Sequence, residues 1–534
     1  MKQKIEELFQ TDPGDYIAQK IKAIPTHLLV TFLSALLFAF LIHGFGFSNK
    51  LLNEDSLFYL RNSMAYLYQS GRWFLVALQY IRGMYTIPWL IGIAATFYLA
   101  LATTFMISLL GVTNKAYCVA ISLLTVAFPA WANQFMYDFM ADAYPAAMLL
   151  SILSIYFAKK YRFGFLIGAV CLMLSLALYQ SFLSFAIGLS LISILCSLLN
   201  HPDKLKITLL QAFRFLLCGA LGLTLYFISV RVSLLITGGA LWGYQGLDTL
   251  GQIPLSQLPE LIRTAYLGVR DGFFLTGSYA ANSLFVSRRL FALYVSLFIL
   301  LMYLLVRRIL NAKLHKHLPA FLLFILALLL LPLALNISVI MAPEAEIHTL
   351  NTNPFVLLVL LVFVFLELPE RGHTKPRPRR FVSGYLALIL AVLIGGNYWV
   401  QSGTFYFVQH IQYEHTFSFY NRLLTRIEST EGFSPGMEVA IIGTEPFPYI
   451  GASEVFTDRQ AQIVGFSDAR PVLGLGEQHK FILFAQNYLG VRLVPISQER
   501  REEIMEMEVF EAMPLYPKPG SIAIIEDVLV VRLN

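Results

Sequence analysis

The chain has 534 residues, 57% of them apolar and only 13% charged, with a net charge of +6 and a mean hydropathy of +0.65. A water-soluble core of this length does not look like this, and the repeated apolar runs of about 20 residues are each long enough to cross a hydrocarbon layer of roughly 30 Å. The four cysteines, Cys118, Cys171, Cys196 and Cys218, all fall inside those runs, so they offer neither a disulfide framework nor a cysteine zinc site.

In chain order, the segment "KIEELFQTDPGDYIAQKIKAI" lacks the apolar core and cleavage site of a signal peptide and reads, over residues 1–25, as an amphipathic helix on the inner membrane face. Apolar runs predict spans near 26–46, 84–111, 116–134, 143–158, 163–178, 181–199, 207–236, 289–306, 319–340, 353–366 and 381–400, eleven in all. The expected fold is therefore a polytopic α-helical membrane protein with a membrane domain over 26–400. With the N-terminus inside, the inner connections "TNK", "KKYR", "HPDKLK", "RRILNAKLHKHL" and "ELPERGHTKPRPRR" are rich in Lys and Arg, as the positive-inside rule requires, and residue 401 onward lies outside. That tail, 401–534, carries 10 Lys and Arg against 17 Asp and Glu. Its β-branched runs "MEVAIIG" and "GSIAIIEDVLVVRL" follow an amphipathic helix, "FYFVQHIQYEHTFSFYNRLLTRIES", so a small α/β domain that covers a pocket and helps choose a substrate is expected.

The acidic residues of the membrane part sit in outer loops rather than in mid-span: Glu54 and Asp55, Asp138 and Asp142, Asp248, Glu260 and Asp271, and Glu344 and Glu346. A transporter driven by ions would place ionisable groups near the bilayer midplane and show related halves, and neither pattern is present. Carboxylates, aromatics and arginines at the outer lipid–water boundary suit transfer of a sugar from a lipid-phosphate donor to a hydroxyl. A carboxylate takes the acceptor proton, and an arginine fork holds the departing phosphate.

The first outer loop "NEDSLFYLRNSMAYLYQSGRW", then "SLALYQSFLSFAIGL", then "LPLALN" followed by "EIHTLN", and finally "YNRLLTRIE", resemble in their order the Gtr type II glucosyltransferases, membrane enzymes that decorate bacterial O-antigens. The resemblance covers most of residues 30–430 and implies a GT-C-like fold, a polyprenyl-phosphate sugar donor and an acidic catalytic residue in the first outer loop. The family's acidic pair corresponds to Glu54 and Asp55, its Gly-Arg pattern to Gly71 and Arg72, and its Tyr-Gln pair to Tyr179 and Gln180. This chain has Glu-Asp where relatives often have Asp-Asp, which leaves open which carboxylate is the base, and no family motif beyond residue 430 identifies the acceptor.

The expected roles are proton abstraction by Asp55 with Glu54 beside it, and donor-phosphate binding by Arg72, Arg82 and Lys480. Asp138, Asp142, Tyr179, Gln180 and His348 are expected at the sugar or acceptor. A turn at "YQSG" is expected to bring Arg72 back toward the site. Each residue also has a plain structural reading: "NEDS" as a helix cap, Arg72 and Arg82 as snorkelling side chains, Asp138 and Asp142 as a solvated rim, and His348 as a packing residue. Mg²⁺ or Mn²⁺ fits the two acidic pairs, yet a single lipid phosphate has less charge to neutralise than a pyrophosphate, so no cofactor is expected to be required and no metal ligand is assigned. The expected partners are the polyprenyl-phosphate-linked sugar, a surface glycan and membrane lipid, in a bacterial cytoplasmic membrane. The alternatives are a lipid-linked-sugar flippase or transporter and an O-antigen polymerase or ligase.

Overall fold

The computed structural model describes residues 12–49, 51, 54–60, 64–243, 255–276, 286–343, 349–369, 378–443 and 478–533. Helix α1 (Pro13–Lys22) starts where Asp12 accepts the N–H groups of Gly14 and Asp15, with Pro13 at the first position, and carries Lys20 and Lys22 in its last turn. It lies within the expected surface helix. In α2 (Thr26–Ser48) the buried residues Thr31, Ala35, Ala39, Ile42, His43 and Phe47 recur at three- and four-residue spacing, while Leu33, Leu37, Phe40 and Leu41 are exposed. Small residues inward and large apolar residues outward is the pattern of a helix whose outer solvent is lipid.

The first long connection holds three short helices, α3 (Glu54–Phe58), α4 (Met64–Gln69) and α5 (Trp73–Ile81). The bundle continues with α6 (Pro88–Leu110), α7 (Lys115–Ala127), α8 (Ala130–Phe135), α9 (Ala143–Lys160), α10 (Gly164–Leu176), α11 (Leu183–Asn200) and α12 (Leu205–Thr237). It is completed by α13 (Leu258–Phe274), α14 (Arg288–Ala312), α15 (Leu318–Leu335), α16 (Ser338–Met341), α17 (Val356–Glu367) and α18 (Pro378–Glu428). Among the described residues, eight helices are long and apolar enough to cross a membrane, namely α2, α6, α9, α11, α12, α14, α15 and α18. Shorter apolar helices, α7, α10 and α17, occupy the other three expected segments. The run expected as one span over 116–134 is interrupted, because Pro129 lacks an N–H and turns Phe128 extended (ψ 126°) between α7 and α8.

Some of the bundle's buried polar groups pair across helices. His43 Nε2 meets the Val126 carbonyl at 2.9 Å, so that nitrogen donates and Nδ1 accepts from the Tyr406 hydroxyl at 2.8 Å, tying α2, α7 and α18 together. Tyr294 and Tyr398 join their hydroxyls at 2.7 Å between α14 and α18. At the far end of α17, Arg308 donates to the carbonyls of Phe365 (2.7 Å) and Leu366 (3.1 Å), a cation on the negative end of a helix.

Helix α18 departs from the expectation of a span followed by a separate tail helix. It is one helix of 51 residues, about 77 Å at roughly 1.5 Å per residue, and residue 400 lies inside it. Its first half contributes Ala387, Leu390, Ala391, Ile394 and Tyr398 to the bundle core, and its last turns contribute Phe419, Tyr420, Leu423, Leu424 and Ile427 to a second core. That second core belongs to a sheet of β1 (Glu438–Ile442), β2 (Val494–Pro495), β3 (Ile522–Ile525) and β4 (Val528–Arg532), ordered β2-β1-β4-β3. β1 runs parallel to β2 and β4, and β3 is antiparallel to β4. The period of two along the strands divides the tail: Val439, Ile441, Leu529 and Val531 face α18, while Ala440, Ile442, Val528 and Val530 pack with Ile504 and Phe510 on the other side. Between β1 and β2, helix α19 (Gln478–Phe484) runs into a π turn, Ala485–Leu489.

Candidate active site

The expected turn at "YQSG" is present and shows why the sequence needs glycine there. The Arg72 N–H bonds the Leu67 carbonyl (2.8 Å) and the Gly71 N–H bonds the Tyr68 carbonyl (3.0 Å), a Schellman end to α4 with Gly71 at φ +72°. A side chain on Gly71 would also meet the Tyr226 hydroxyl at 2.7 Å. The Gln180 amide nitrogen, 110 residues away in sequence, donates to the Ser70 carbonyl at 2.9 Å and lies 3.0 Å from the Tyr226 hydroxyl. Arg72 lies over the ring of Tyr179, 4.9 Å from its centroid. The Gly-Arg and Tyr-Gln pairs therefore meet in space.

Arg72 is half-buried, with its Nε fully buried and unbonded. Phenols act on it electrostatically, Tyr66, Tyr179, Tyr144 and Tyr226 among them, and among the described residues no Asp or Glu forms an ion pair with it. Tyr179 makes an edge contact with Tyr144 at 4.9 Å, and its hydroxyl donates to Asn351 Oδ1 at 3.4 Å, which brings the last residue of "EIHTLN" to the same place. Near it are buried amides. Gln134 Nε2 donates to the Leu350 carbonyl at 2.6 Å while its Oε1 has no protein partner, and both amide atoms of Asn353 are unpaired at 2% exposure.

The carboxylates lie on segments whose aromatic residues pack toward the same cluster, Tyr59 on Tyr66 and Phe139 on Tyr59. Asp55 is in the first turn of α3 and is partly exposed. Tyr59, one turn on, has its hydroxyl pushed up by burial, further by Tyr66 and Asp55, and is opposed by Arg72, so the phenol stays protonated within electrostatic reach of both the carboxylate and the cation. Tyr59 stacks on Tyr66 at 5.6 Å and against Phe139 at 4.5 Å. Ser56 Oγ donates to Asp138 Oδ1 at 2.6 Å, which ties the Asp55 helix to the "YDFMADAYP" turn. The Glu54 backbone is in the same helix; the Glu54 side chain, His348, Glu344, Glu346 and Asp248 lie outside the described residues.

Arg82 and Asp142 are placed together, and Arg82 also acts electrostatically on Asp138. Their charges are 3.2 Å apart, nearly fully buried at 5% and 3% exposure, and Arg82 also donates to the Phe139 carbonyl at 3.1 Å. Asp142 thus already neutralises the Arg82 cation. Lys480 lies on α19, buried at 7% exposure, on the tail helix that packs against α3. A small cleft lined by Leu199, Asn200, Arg308, Asn311, Ala312, Leu368 and Pro369 lies at the opposite ends of α11 and α17 and has no carboxylate.

Sequence reasoning missed Ser56, Tyr59, Tyr66, Tyr144 and Tyr226. Tyr144 directly follows the acidic turn and was within reach of the pattern; Tyr226, inside "LTLYFISV", reads as interfacial filler until the fold sets it against Gly71. Among the described residues no group of three or more His, Cys, Asp or Glu side chains is disposed to hold a metal ion.

A family model described as Glucosyl transferase GtrII matches residues 44–367, more than half of the chain. The match takes in Asp55, Arg72, Asp138, Tyr179, Gln180 and Asn351 and ends before α18 and the tail. Searches of curated proteins and of solved structures gave no match. On its apolar helices and this family match, the chain is a membrane glycosyltransferase and belongs to the glucosyl transferase GtrII family.

Proposed function

We propose that the protein transfers a hexose, glucose in keeping with its family, from a polyprenyl-phosphate-linked donor to a hydroxyl of a cell-surface glycan or its lipid-linked precursor, such as O-antigen. The reaction takes place at the outer face of a bacterial cytoplasmic membrane, with eleven spans, the N-terminus inside and the tail outside. Lys159, Lys160, Lys204, Arg307 and Lys313 lie at the helix ends away from the site, which supports that orientation.

The observation that carries the reading is Arg72. A half-buried guanidinium on an aromatic face, ringed by phenols and without a carboxylate partner among the described residues, is a site for an anion supplied by the substrate. In the transfer, Asp55 accepts the acceptor's hydroxyl proton as that oxygen bonds C1. The bond from C1 to the phosphate oxygen breaks, and the electron pair leaves on polyprenyl phosphate, held by Arg72. Glu54 orients the acceptor or stabilises charge at C1, and Asp138 is held toward the site by Ser56. The buried amides of Gln134 and Asn353 have donors and acceptors left for sugar hydroxyls. Since the leaving group is a single phosphate, the arginine suffices and no metal is needed.

The test is to incorporate the purified protein in proteoliposomes with either labelled polyprenyl-phosphate glucose or labelled nucleotide glucose, plus a glycan acceptor. Label should move to the glycan from the lipid-phosphate donor only. Transfer from the nucleotide donor alone would overturn the donor assignment.

A further inference from the structure

Helix α3, which carries Glu54, Asp55 and Ser56, has only five residues, too few to be stable by itself. What fixes its position lies on two sides. Ser56 ties it to Asp138 within the bundle. On the other side Leu57, 2% exposed, is part of the tail's own core with Tyr420, Phe481 and Phe484. Phe58 stacks on His479 with ring centroids 5.4 Å apart and an interplanar angle of 29°.

The tail residues in these contacts come from the end of α18 (Tyr420) and from α19 (His479, Phe481 and Phe484), which the π turn follows. π turns are rare and occur often at functional sites. This one carries Tyr488, whose ring lies 5.0 Å from that of Phe484 and whose hydroxyl is raised by burial and then by the neighbouring Asp138 carboxylate. The tail thus packs against α3, which carries Asp55 and is bonded through Ser56 to Asp138, although the tail lies beyond the stretch that matches the family.

We infer that the C-terminal tail is a wall of the active site rather than an appendage to it: Leu57 docks α3 into the tail core, and α19 thereby positions Asp55, and through Ser56 also Asp138, for the transfer step. Leu57, Phe58 and His479 are positioning residues, since they act through the carboxylates. This deepens the glycosyl-transfer reading and rests on it for the kinetic consequence, but the docking itself does not.

Two measurements on the full chain separate these. Leu57→Ala should lower kcat about tenfold or more while the Kd for polyprenyl-phosphate glucose stays within about twofold, and the volume-conserving Leu57→Met should recover most of the kcat. Independently, Phe58→Cys with His479→Cys should cross-link efficiently with a short bis-maleimide, judged against each single substitution, and the cross-linked protein should keep its turnover. Undiminished kcat in Leu57→Ala, no cross-linking above the single substitutions, or abolished turnover after cross-linking would each overturn the inference. Efficient cross-linking in a protein that moves no sugar would support the docking and overturn the transfer reading.

Discussion

Replacing Arg72 with alanine removes the cation that lies over Tyr179, and the structure sets the size of the effect. The guanidinium is half-buried and lies 4.9 Å from the Tyr179 centroid, so its bonds to a phosphate form away from bulk water. Hydrogen bonds to charged groups contribute about 1.5–3 kcal/mol each, net of the water they replace. Loss of one such interaction weakens donor binding about 10- to 150-fold, at 1.4 kcal/mol per factor of ten. Arg72→Lys should fall between wild type and Arg72→Ala, because an ammonium keeps the charge but not the planar fork or the stack on Tyr179. The assay is equilibrium binding of radiolabelled polyprenyl-phosphate glucose in nanodiscs, with unlabelled polyprenyl phosphate as competitor. The competitor should displace the donor from wild type and lose affinity in parallel with it in Arg72→Ala. Donor affinity within about twofold of wild type in Arg72→Ala would refute the assignment of Arg72 to the phosphate.

Arg82 and Asp142 act as a buried structural pair: Arg82→Met alone should destabilise the folded protein by about 3–5 kcal/mol, and Arg82→Met with Asp142→Leu should recover most of that loss. A thermal-shift series in detergent checks this, and a single variant that keeps its stability but loses donor binding would return Arg82 to the donor site. Gln180→Leu strands the Ser70 carbonyl, at a cost of about 1–3 kcal/mol for a buried group left unbonded, and removes a donor from the Tyr226 hydroxyl, which keeps its bond to the Gly71 carbonyl; it should weaken donor binding along with stability. Activity should persist in EDTA, and loss of more than about nine-tenths of it, restored by Mg²⁺, would show that a metal takes part.

The membrane character and the helix positions were legible because lipid imposes length and apolarity on a span, and those are local properties of the sequence. The first loop was legible at its punctuation: "YQSG" ends a helix because Gly71 adopts a conformation that other residues avoid. What the sequence withheld is partnership. Nothing local distinguishes Arg82, paired with Asp142, from Arg72, set on Tyr179 without a carboxylate partner among the described residues, since both follow apolar aromatic stretches in outer loops. Nor does composition reveal that α18 runs unbroken through residue 400, because its polar second half reads as a separate amphipathic helix until Phe419 and Tyr420 are seen in the tail core. The docking of Leu57 into that core joins segments more than 350 positions apart, which no periodicity encodes.

The central claim is that a carboxylate on α3 takes the acceptor's proton while Arg72 holds the departing phosphate. Single-turnover transfer from labelled polyprenyl-phosphate glucose by Asp55→Asn, compared with Glu54→Gln and Asp138→Asn and with donor binding measured on the same preparations, tests it most directly. Asp55→Asn should bind donor normally and turn over at least about 10²-fold more slowly, the low end for a lost general base. Near-normal turnover in Asp55→Asn with a dead Glu54→Gln or Asp138→Asn would move the base to another carboxylate, and near-normal turnover in all three would contradict glycosyl transfer at this loop.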